Sequence, residues 1–377
     1  MSLKQQALGG VKWTTVATVT QALVGILKLS VLARYLDKTD FGLMALVTFV
    51  LGFMQLFMDM GISTAILHKQ QISRQEYGSL YWINFLFSAI LYGLVLLLTQ
   101  PIASFYQEPE LSQLLPIMGV SLILAATGRQ FRTIEQKDLN FKFISIVTMT
   151  GAIISLIVAI ILAIEGFGVY ALVYSALVQH ICTNCIFFLV GVKKHGLLFR
   201  LRFEETRIFL KIGLYHVSGQ VINYFNKDLD ILLIGKLYGA EILGGYSLAK
   251  QLVIRPFRVV NPILTRVAAP LLARFQEDLQ ELRKNYLKLL NAVSSLIVPV
   301  YISLMILAPI AVKILYGPGF EDIVILVRIL SVYMIFRSIA NPLGSLIVAT
   351  GRTDLGFYWN LVTLVVVPLS LIHISEP

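Results

Sequence analysis

Apolar stretches of about 20 residues, separated by short polar joints, recur along the whole chain. A hydrocarbon layer ~30 Å thick requires a helix of about this length. Eleven such segments can be delimited, at approximately 11–33, 41–66, 79–99, 113–133, 142–164, 169–191, 209–235, 242–267, 285–312, 323–349 and 355–372. Within them apolar and polar residues do not alternate, as they would in the ~10-residue strands of a membrane barrel. The pattern predicts an all-α polytopic membrane protein. Several segments exceed 20 residues, so tilted or broken helices are expected. The first is long and no small-residue cleavage site follows it, so it reads as a span and not as a cleavable signal.

Composition strengthens this reading. Hydrophobic residues make up 57% of the 377 and charged residues 14%, against about 25% charged in ordinary globular domains. The mean hydropathy is +0.79. A soluble core cannot absorb that much hydrocarbon surface, whereas lipid can.

A net charge of +10 raises the question of nucleic acid, and the positions of the cations answer it. If the N-terminus and every even-numbered loop face one side, 19 of the 31 Lys and Arg lie there and four lie in the opposite loops (Arg34, Lys38, Lys236, Lys313). By the positive-inside rule the N-terminus is cytoplasmic. The basic charge is thus accounted for by topology, and no nucleic-acid partner is expected. Cys182 and Cys185 form a C-x-x-C inside the sixth segment with no second ligand pair. They read as small helix residues, and neither a metal site nor a cofactor is expected.

An internal repeat organises the chain. Val31–Gly42 resembles Leu233–Gly244 at an offset of 202: a cation (Arg34, Lys236) ends one helix and a Gly opens the next. Near offset 216, Gly128 falls on Gly344, Asp138-Leu139 on Asp354-Leu355 and Phe141 on Phe357. Segment 1 thereby matches segment 7, and segment 4 matches segment 10. The unit is six helices, an even number, so two lobes entering the membrane in the same sense are expected, related by a pseudo-two-fold along the membrane normal. The lobes are placed at 1–191 and 209–377, joined by a basic amphipathic cytoplasmic linker at 192–208. The ending Leu371–Pro377 continues no helix and matches nothing in the first lobe, so the second lobe, with about five helices, reads as C-terminally truncated.

Polar residues inside the apolar segments carry the candidate chemistry. Spacings of 4, 7, 11 and 14 return to one helix face. In segment 7 these positions are His216, Gln220, Asn223, Lys227 and Asp230; subtracting 202 gives Thr14, Thr18, Gln21, Gly25 and Lys28 in segment 1. Lipid penalises such a stripe, so it is expected to face a solvated cavity between lobes, or else to hydrogen-bond neighbouring helices. Lys28 and Asp230, equivalent under the offset, are a candidate inter-lobe charge pair; Asp228 and Asp230 are alternative ion partners for Lys227 or Lys28.

Segment 8 adds Lys250, Gln251, Arg255, Arg258 and Asn261, whereas segment 2 has no cation at the matching places and Asp59 is its only acid. Arg328 and Arg337 in segment 10 are further intramembrane charges. Arg at mid-membrane costs about 2.5–3.5 kcal/mol even on a mild scale, so several on one lobe imply a compensating anion. Guanidinium suits phosphate. The alternative is that Arg255 and Arg258 snorkel to the interface. Substrate contacts are therefore expected from Lys227, Lys250, Arg255, Arg258, His216, Gln220, Asn223 and Asn261. No Walker A, H-E-x-x-H or G-x-S-x-G motif occurs, and the loops are short, so a transporter and not an enzyme is expected.

Ala33–Leu43, Asp59–Leu67, Ile102–Leu111 and Gln136–Phe141 resemble the polysaccharide-exporter branch of the multidrug/oligosaccharidyl-lipid/polysaccharide flippase superfamily, across essentially the whole chain. The closest likeness is to exporters of colanic-acid-like and other exopolysaccharides. The resemblance implies a V-shaped, alternating-access transporter with a cationic lumen in the bacterial inner membrane. Its implied substrate is an undecaprenyl-diphosphate-linked oligosaccharide for O-antigen or exopolysaccharide synthesis, with polymerase and assembly proteins as partners. A murein (lipid II-type) flippase or a cation-coupled drug exporter of the same superfamily is the alternative, and a membrane-embedded glycosyl transferase or ligase a more distant one. Drug-extruding relatives carry an acidic cation site in the first lobe. Segment 1 here has Lys28 and no carboxylate, so neither H⁺ nor Na⁺ is assigned as coupling ion.

Overall fold

The computed structural model describes the backbone of residues 3–59, 63, 66–67, 72–199, 203–352, 354–356, 358–359 and 362–363; side chains at 3–8, 59, 203–219, 259–267, 269–270 and 348 lie outside the description. All regular structure among the described residues is helical. The helices are α1 (Leu3–Leu32), α2 (Lys38–Asp59), α3 (Arg74–Tyr106), α4 (Leu111–Lys137), α5 (Phe141–Ile164) and α6 (Val169–His195). A long run, Phe203–Ala273, is broken at Gly239 into α7 (203–238) and α8 (240–273). Then come α9 (Leu279–Leu315), α10 (Ile323–Ala340) and α11 (Pro342–Ala349).

Nine helical stretches among the described residues are long and apolar enough to cross a membrane. One of them, Gln220–Arg258, takes in parts of both the seventh and the eighth apolar segments. They merge because the chain turns on a single residue: Gly239 has φ +78° and ψ 179°, a combination open essentially to Gly alone. The tenth segment is divided at Asn341–Pro342. Asn341 keeps helical dihedrals (φ −60°, ψ −39°) and its N–H donates to the Ser338 carbonyl, the acceptor to which Pro342, lacking an N–H, cannot donate; Pro342 then opens the next helix. Most of the eleventh segment lies outside the described residues.

The described chain divides into two compact units, 1–224 with 230–243, and 225–229 with 244–377. Residues 192–195, expected to begin the linker, are the last turn of α6; Gly196 (φ +72°) ends that helix.

In the first unit α1 and α5 run side by side in the same direction. Gln21 Nε2 lies 3.4 Å from Thr148 Oγ1 and Lys28 Nζ 2.9 Å from Ser155 Oγ, two contacts that advance seven residues on both helices. Nearer the N-terminal ends, Lys142 at the start of α5 lies over the Trp13 ring of α1 at 5.5 Å. Parallel helices enter from the same side, as the odd-numbered positions of both require.

α3 opens with a capping box: the Ser73 side chain accepts from the Glu76 N–H, and the Glu76 carboxylate accepts from the Ser73 N–H. At the same end of the unit, buried Glu135 on α4 accepts from Lys194 Nζ of α6 at 2.9 Å and from Asn140 Nδ2 at 2.6 Å. Tyr81, Phe131, Ile134, Val147 and Phe187 form the core beside this joint.

At the opposite end, the turn at Gly239 is docked on the α3–α4 joint. Ala240 N–H donates to Glu108 Oε1 at 3.0 Å, and Lys236 Nζ donates to the Phe105 carbonyl at 2.6 Å. A Cβ on Gly42 would meet the Ala240 carbonyl at 1.8 Å, so α2 approaches this turn only as glycine. The Gly that opens the second helix of the repeat therefore serves a close backbone approach. Tyr224 of α7 donates its hydroxyl to the Phe49 carbonyl of α2, with ring centroids 5.5 Å apart.

In the second unit α9 starts at Asp278, whose Oδ1 accepts from the Gln280 and Glu281 N–H groups. Two buried tyrosines fasten α9 to α8: Tyr301 donates to the Val253 carbonyl at 3.0 Å and Tyr316 to the Leu248 carbonyl at 3.1 Å. Leu272, Leu282 and Ala349 make a small core where α8, α9 and α11 meet.

Candidate functional site

The intramembrane cations of the second unit are held in distinct ways. On α7, Lys227 and Asp228 are neighbours, and α8 returns past them. Lys250 Nζ lies 3.1 Å from Asp228 Oδ1 and Lys227 Nζ 3.5 Å from Asp228 Oδ2. Lys250 also donates to the Lys227 carbonyl at 3.1 Å. One carboxylate therefore serves two ammonium groups. Asp228 and Lys250 side chains are each 17% exposed, and Lys227 is 47% exposed, so Lys227 is the looser partner.

Farther along α8, Arg255 is half-buried and Arg258 exposed. Arg255 lies within electrostatic range of both Arg258 and the Tyr316 phenol. Burial pushes that phenol up to about 12, so it remains a neutral donor to Leu248. Eight residues separate Lys250 from Arg258, about 12 Å along a helix. The five groups Lys227, Asp228, Lys250, Arg255 and Arg258 carry three positive charges in excess, all inside the candidate span Gln220–Arg258. Such an excess suits an anion with several acceptor oxygens.

The other residues singled out from the sequence are placed as follows. Gln220 is half-buried and Asn223 exposed on α7. The side chains of His216, Asn261 and Asp59 lie outside the described residues. On α1, Gln21 and Lys28 meet hydroxyls of α5, which is the neighbouring-helix alternative for that stripe; Thr18 bonds back to the Thr14 carbonyl at 2.8 Å. The Lys28 ammonium is carried by Ser155, whose hydroxyl donates in turn to the Ser175 carbonyl at 2.7 Å. Asp230 Oδ1 accepts from the Ile231 N–H.

Arg337 donates to the Tyr333 hydroxyl at 3.2 Å and stands over the Phe257 ring at 5.8 Å. Arg328 Nε donates to the Met305 carbonyl at 3.3 Å. That carbonyl is the one left without its helical donor by Pro309, four residues on in α9. Arg328 thus supplies the hydrogen bond that Pro309 withholds. Arg328→Ala is expected to lower thermal stability by about 1 kcal/mol, and Pro309→Ala in the same chain to recover most of it. A melting series in detergent checks this; equal losses with and without Pro309 would remove the compensation.

Asp228 is the residue that sequence reasoning left off the substrate-contact set, although adjacent opposite charges inside an apolar helix were the signal for it. In the first unit Glu135, Asp138 and His195 bring potential ligand atoms within 4.8 Å of one another. The Lys194 ammonium already stands there, 2.9 Å from Glu135 and 3.5 Å from Asp138, so the group reads as an ion-paired joint between α4 and α6.

Residues 31–325 match the family model described as polysaccharide biosynthesis protein. The chain is 30% identical over 363 residues to the lipopolysaccharide biosynthesis protein WzxC of Escherichia coli K12, covering 96% of this chain and 73% of that one. The chain belongs to the polysaccharide biosynthesis protein family. It is also 29% identical to the teichuronic acid biosynthesis protein TuaB of Bacillus subtilis, over 98% of this chain and 77% of that protein. Among solved structures, the lipid II flippase MurJ in an inward closed conformation superposes with a TM-score of 0.70 at 15% identity, covering 89% of this chain and 76% of that one. An inward-facing multidrug transporter of the MATE family gives 0.68 at 16% identity, over 91% and 83%. The family agrees with the resemblance seen in the sequence, and the fold is the one shared by these two solved transporters: this chain is a multi-pass membrane protein of the polysaccharide biosynthesis protein family.

Proposed function

We propose that this family member flips undecaprenyl-diphosphate-linked oligosaccharide units across the bacterial inner membrane by alternating access. The diphosphate is held by Lys227, Lys250, Arg255 and Arg258. The observation that carries the binding reading is the cationic strip on α7 and α8 of the second unit, within an apolar span that Arg258 closes, where lipid alone would penalise it. The names of the relatives favour a polysaccharide precursor over lipid II; the likeness to MurJ speaks to fold alone. From their positions in the sequence, His216, Gln220, Asn223 and Asn261 are further candidate contacts to the sugar. Polymerase and assembly proteins receive the product, and H⁺ or Na⁺ is the candidate coupling ion. The two repeat lobes are divided at the α6–α7 joint, the first ending with α6 at His195.

The test is complementation. Expressed in a strain lacking its own exporter, the chain should restore surface polysaccharide and clear the lipid-linked precursor that accumulates inside. Precursor that stays inside despite normal protein levels would exclude the flippase.

The Lys/Arg asymmetry supports a cytoplasmic N-terminus. Reporters that fluoresce only in the cytoplasm should be bright when fused near 72, 137, 200 and 278 and dark near 107, 166 and 317. A bright fusion at 107 with a dark one at 200 would invert the topology.

A further inference from the structure

We propose that Asp228 is a displaceable stand-in for the substrate's phosphate, occupying both lysines between transport events and leaving them when a diphosphate arrives. The proposal rests on the diphosphate reading given above.

Two ammonium groups inside an apolar span need an anion at every stage of a cycle, including the stage without substrate. Asp228 supplies it, with one oxygen 3.1 Å from Lys250 and the other 3.5 Å from Lys227. A carboxylate and a phosphate present the same kind of acceptor oxygen to an ammonium group, so either anion satisfies these lysines. They cannot share the lysines comfortably, because like charges a few ångströms apart repel, strongly where water is scarce. Binding a diphosphate here therefore entails breaking the contacts of Asp228.

The geometry suits that exchange. The Lys227 contact is the longer one, and its side chain is nearly half exposed on a flexible stem, so it can turn to an incoming ligand first. Lys250 keeps a second anchor, the Lys227 carbonyl at 3.1 Å, which does not depend on Asp228. That anchor holds its ammonium in place while the anion changes. Asp228 is fixed to α7 beside Lys227, so it stays within reach and competes again for the lysines once the diphosphate loosens. A translocation site must bind strongly enough to admit its cargo and weakly enough to release it. A built-in competitor sets the affinity between those limits.

The contrasting role is a permanent ion pair that fastens α7 to α8. The two differ in sign. If Asp228 is a competitor, removing its charge tightens diphosphate binding; if it is only a fastener, removal loosens the site.

The experiment measures binding of inorganic pyrophosphate and of farnesyl diphosphate to the purified full chain in nanodiscs by titration calorimetry. Melting temperature is recorded for every variant. Asp228→Asn is expected to lower Kd about fivefold, the scale of one partly exposed charge contact, and to slow polysaccharide export in cells because release is delayed. Adding Lys250→Gln should abolish the gain. Tighter binding that survives Lys250→Gln would overturn the proposal. So would an unchanged or weaker Kd in a stably folded Asp228→Asn protein that follows measurable wild-type binding; that result leaves the diphosphate reading intact. Absence of binding by wild type and variant alike overturns the diphosphate reading itself, and the stand-in with it. Asp228→Ser serves as a second variant. If neither accumulates, Asp228 is a folding element and the proposal fails.

Discussion

Replacing Arg255 and Arg258 together with Gln is expected to reduce polysaccharide export roughly 100-fold or more, while the protein still inserts and accumulates. Hydrogen bonds to charged groups contribute about 1.5–3 kcal/mol each, and every 1.4 kcal/mol is a factor of about ten. Two lost arginine–phosphate contacts therefore account for an effect of this size. Both residues stand on α8 beyond Lys250, Arg255 half-buried beside Tyr316 and Arg258 exposed. Their removal leaves the tyrosine contacts between α8 and α9 in place, because those run from Tyr301 and Tyr316 to backbone carbonyls. The charge-conserving variants separate the two physical accounts. Arg presents a planar fork that meets two phosphate oxygens at once, and Lys does not. A phosphate site thus loses activity in Arg255→Lys and Arg258→Lys, whereas residues that only snorkel to the interface accept Lys freely. Complementation of an exporter-deficient strain, with protein level measured alongside, reads both. Normal export from the double Gln variant would take the two arginines out of the substrate path.

The second large effect is expected at Lys28. Lys28→Asp and Asp230→Lys should each cut export severely, and the combined exchange should restore part of it. The two positions are equivalent under the 202-residue repeat, which is the ground for pairing them. In this structure the Lys28 ammonium is held by the Ser155 hydroxyl at 2.9 Å, a neutral partner for a half-buried charge. A neutral hydroxyl offsets less of the desolvation of an ammonium than a carboxylate does, so a state that brings a carboxylate to Lys28 gains stability by the exchange. Removing one member of a buried pair typically costs about 3–5 kcal/mol, enough to trap or disable a transporter. Ser155→Ala provides the comparison: if Ser155 is Lys28's partner throughout the cycle, this change should be as damaging as Lys28→Asp. A double exchange no better than its worse single member would end the pairing hypothesis.

The helices were legible because the bilayer imposes a one-dimensional rule. Every backbone polar group in hydrocarbon must be satisfied within its own segment, so apolar length alone marks a span. The ends of α5 and α6 fall within a few residues of the apolar segments that announced them. The joint between segments 7 and 8 was visible as a repeat of the Arg34–Gly42 turn, and the structure adds its reason: Gly239 supplies the backbone conformation, and Gly42 clears the way for Ala240. The candidate cations were legible for a related reason. A charged residue inside an apolar run is conspicuous, because each one costs several kcal/mol unless something compensates it.

What compensates each charge was decided only by the tertiary structure. Asp228 and Asp230 are two residues apart and lie on different faces of α7, so spacing alone left both open as ion partners; the return of α8 brings Lys250 to Asp228. Lys28 faces Ser155 because α1 lies parallel to α5, a pairing of residues 127 positions apart that no local pattern announces. Arg328 completes the Met305 carbonyl because α10 packs on α9 beside Pro309. Hydropathy is a property of one segment in one solvent and can be read along the chain. A charge's partner depends on which helices pack together and in what register, a sum over many weak long-range contacts that has no counterpart in any single stretch of sequence.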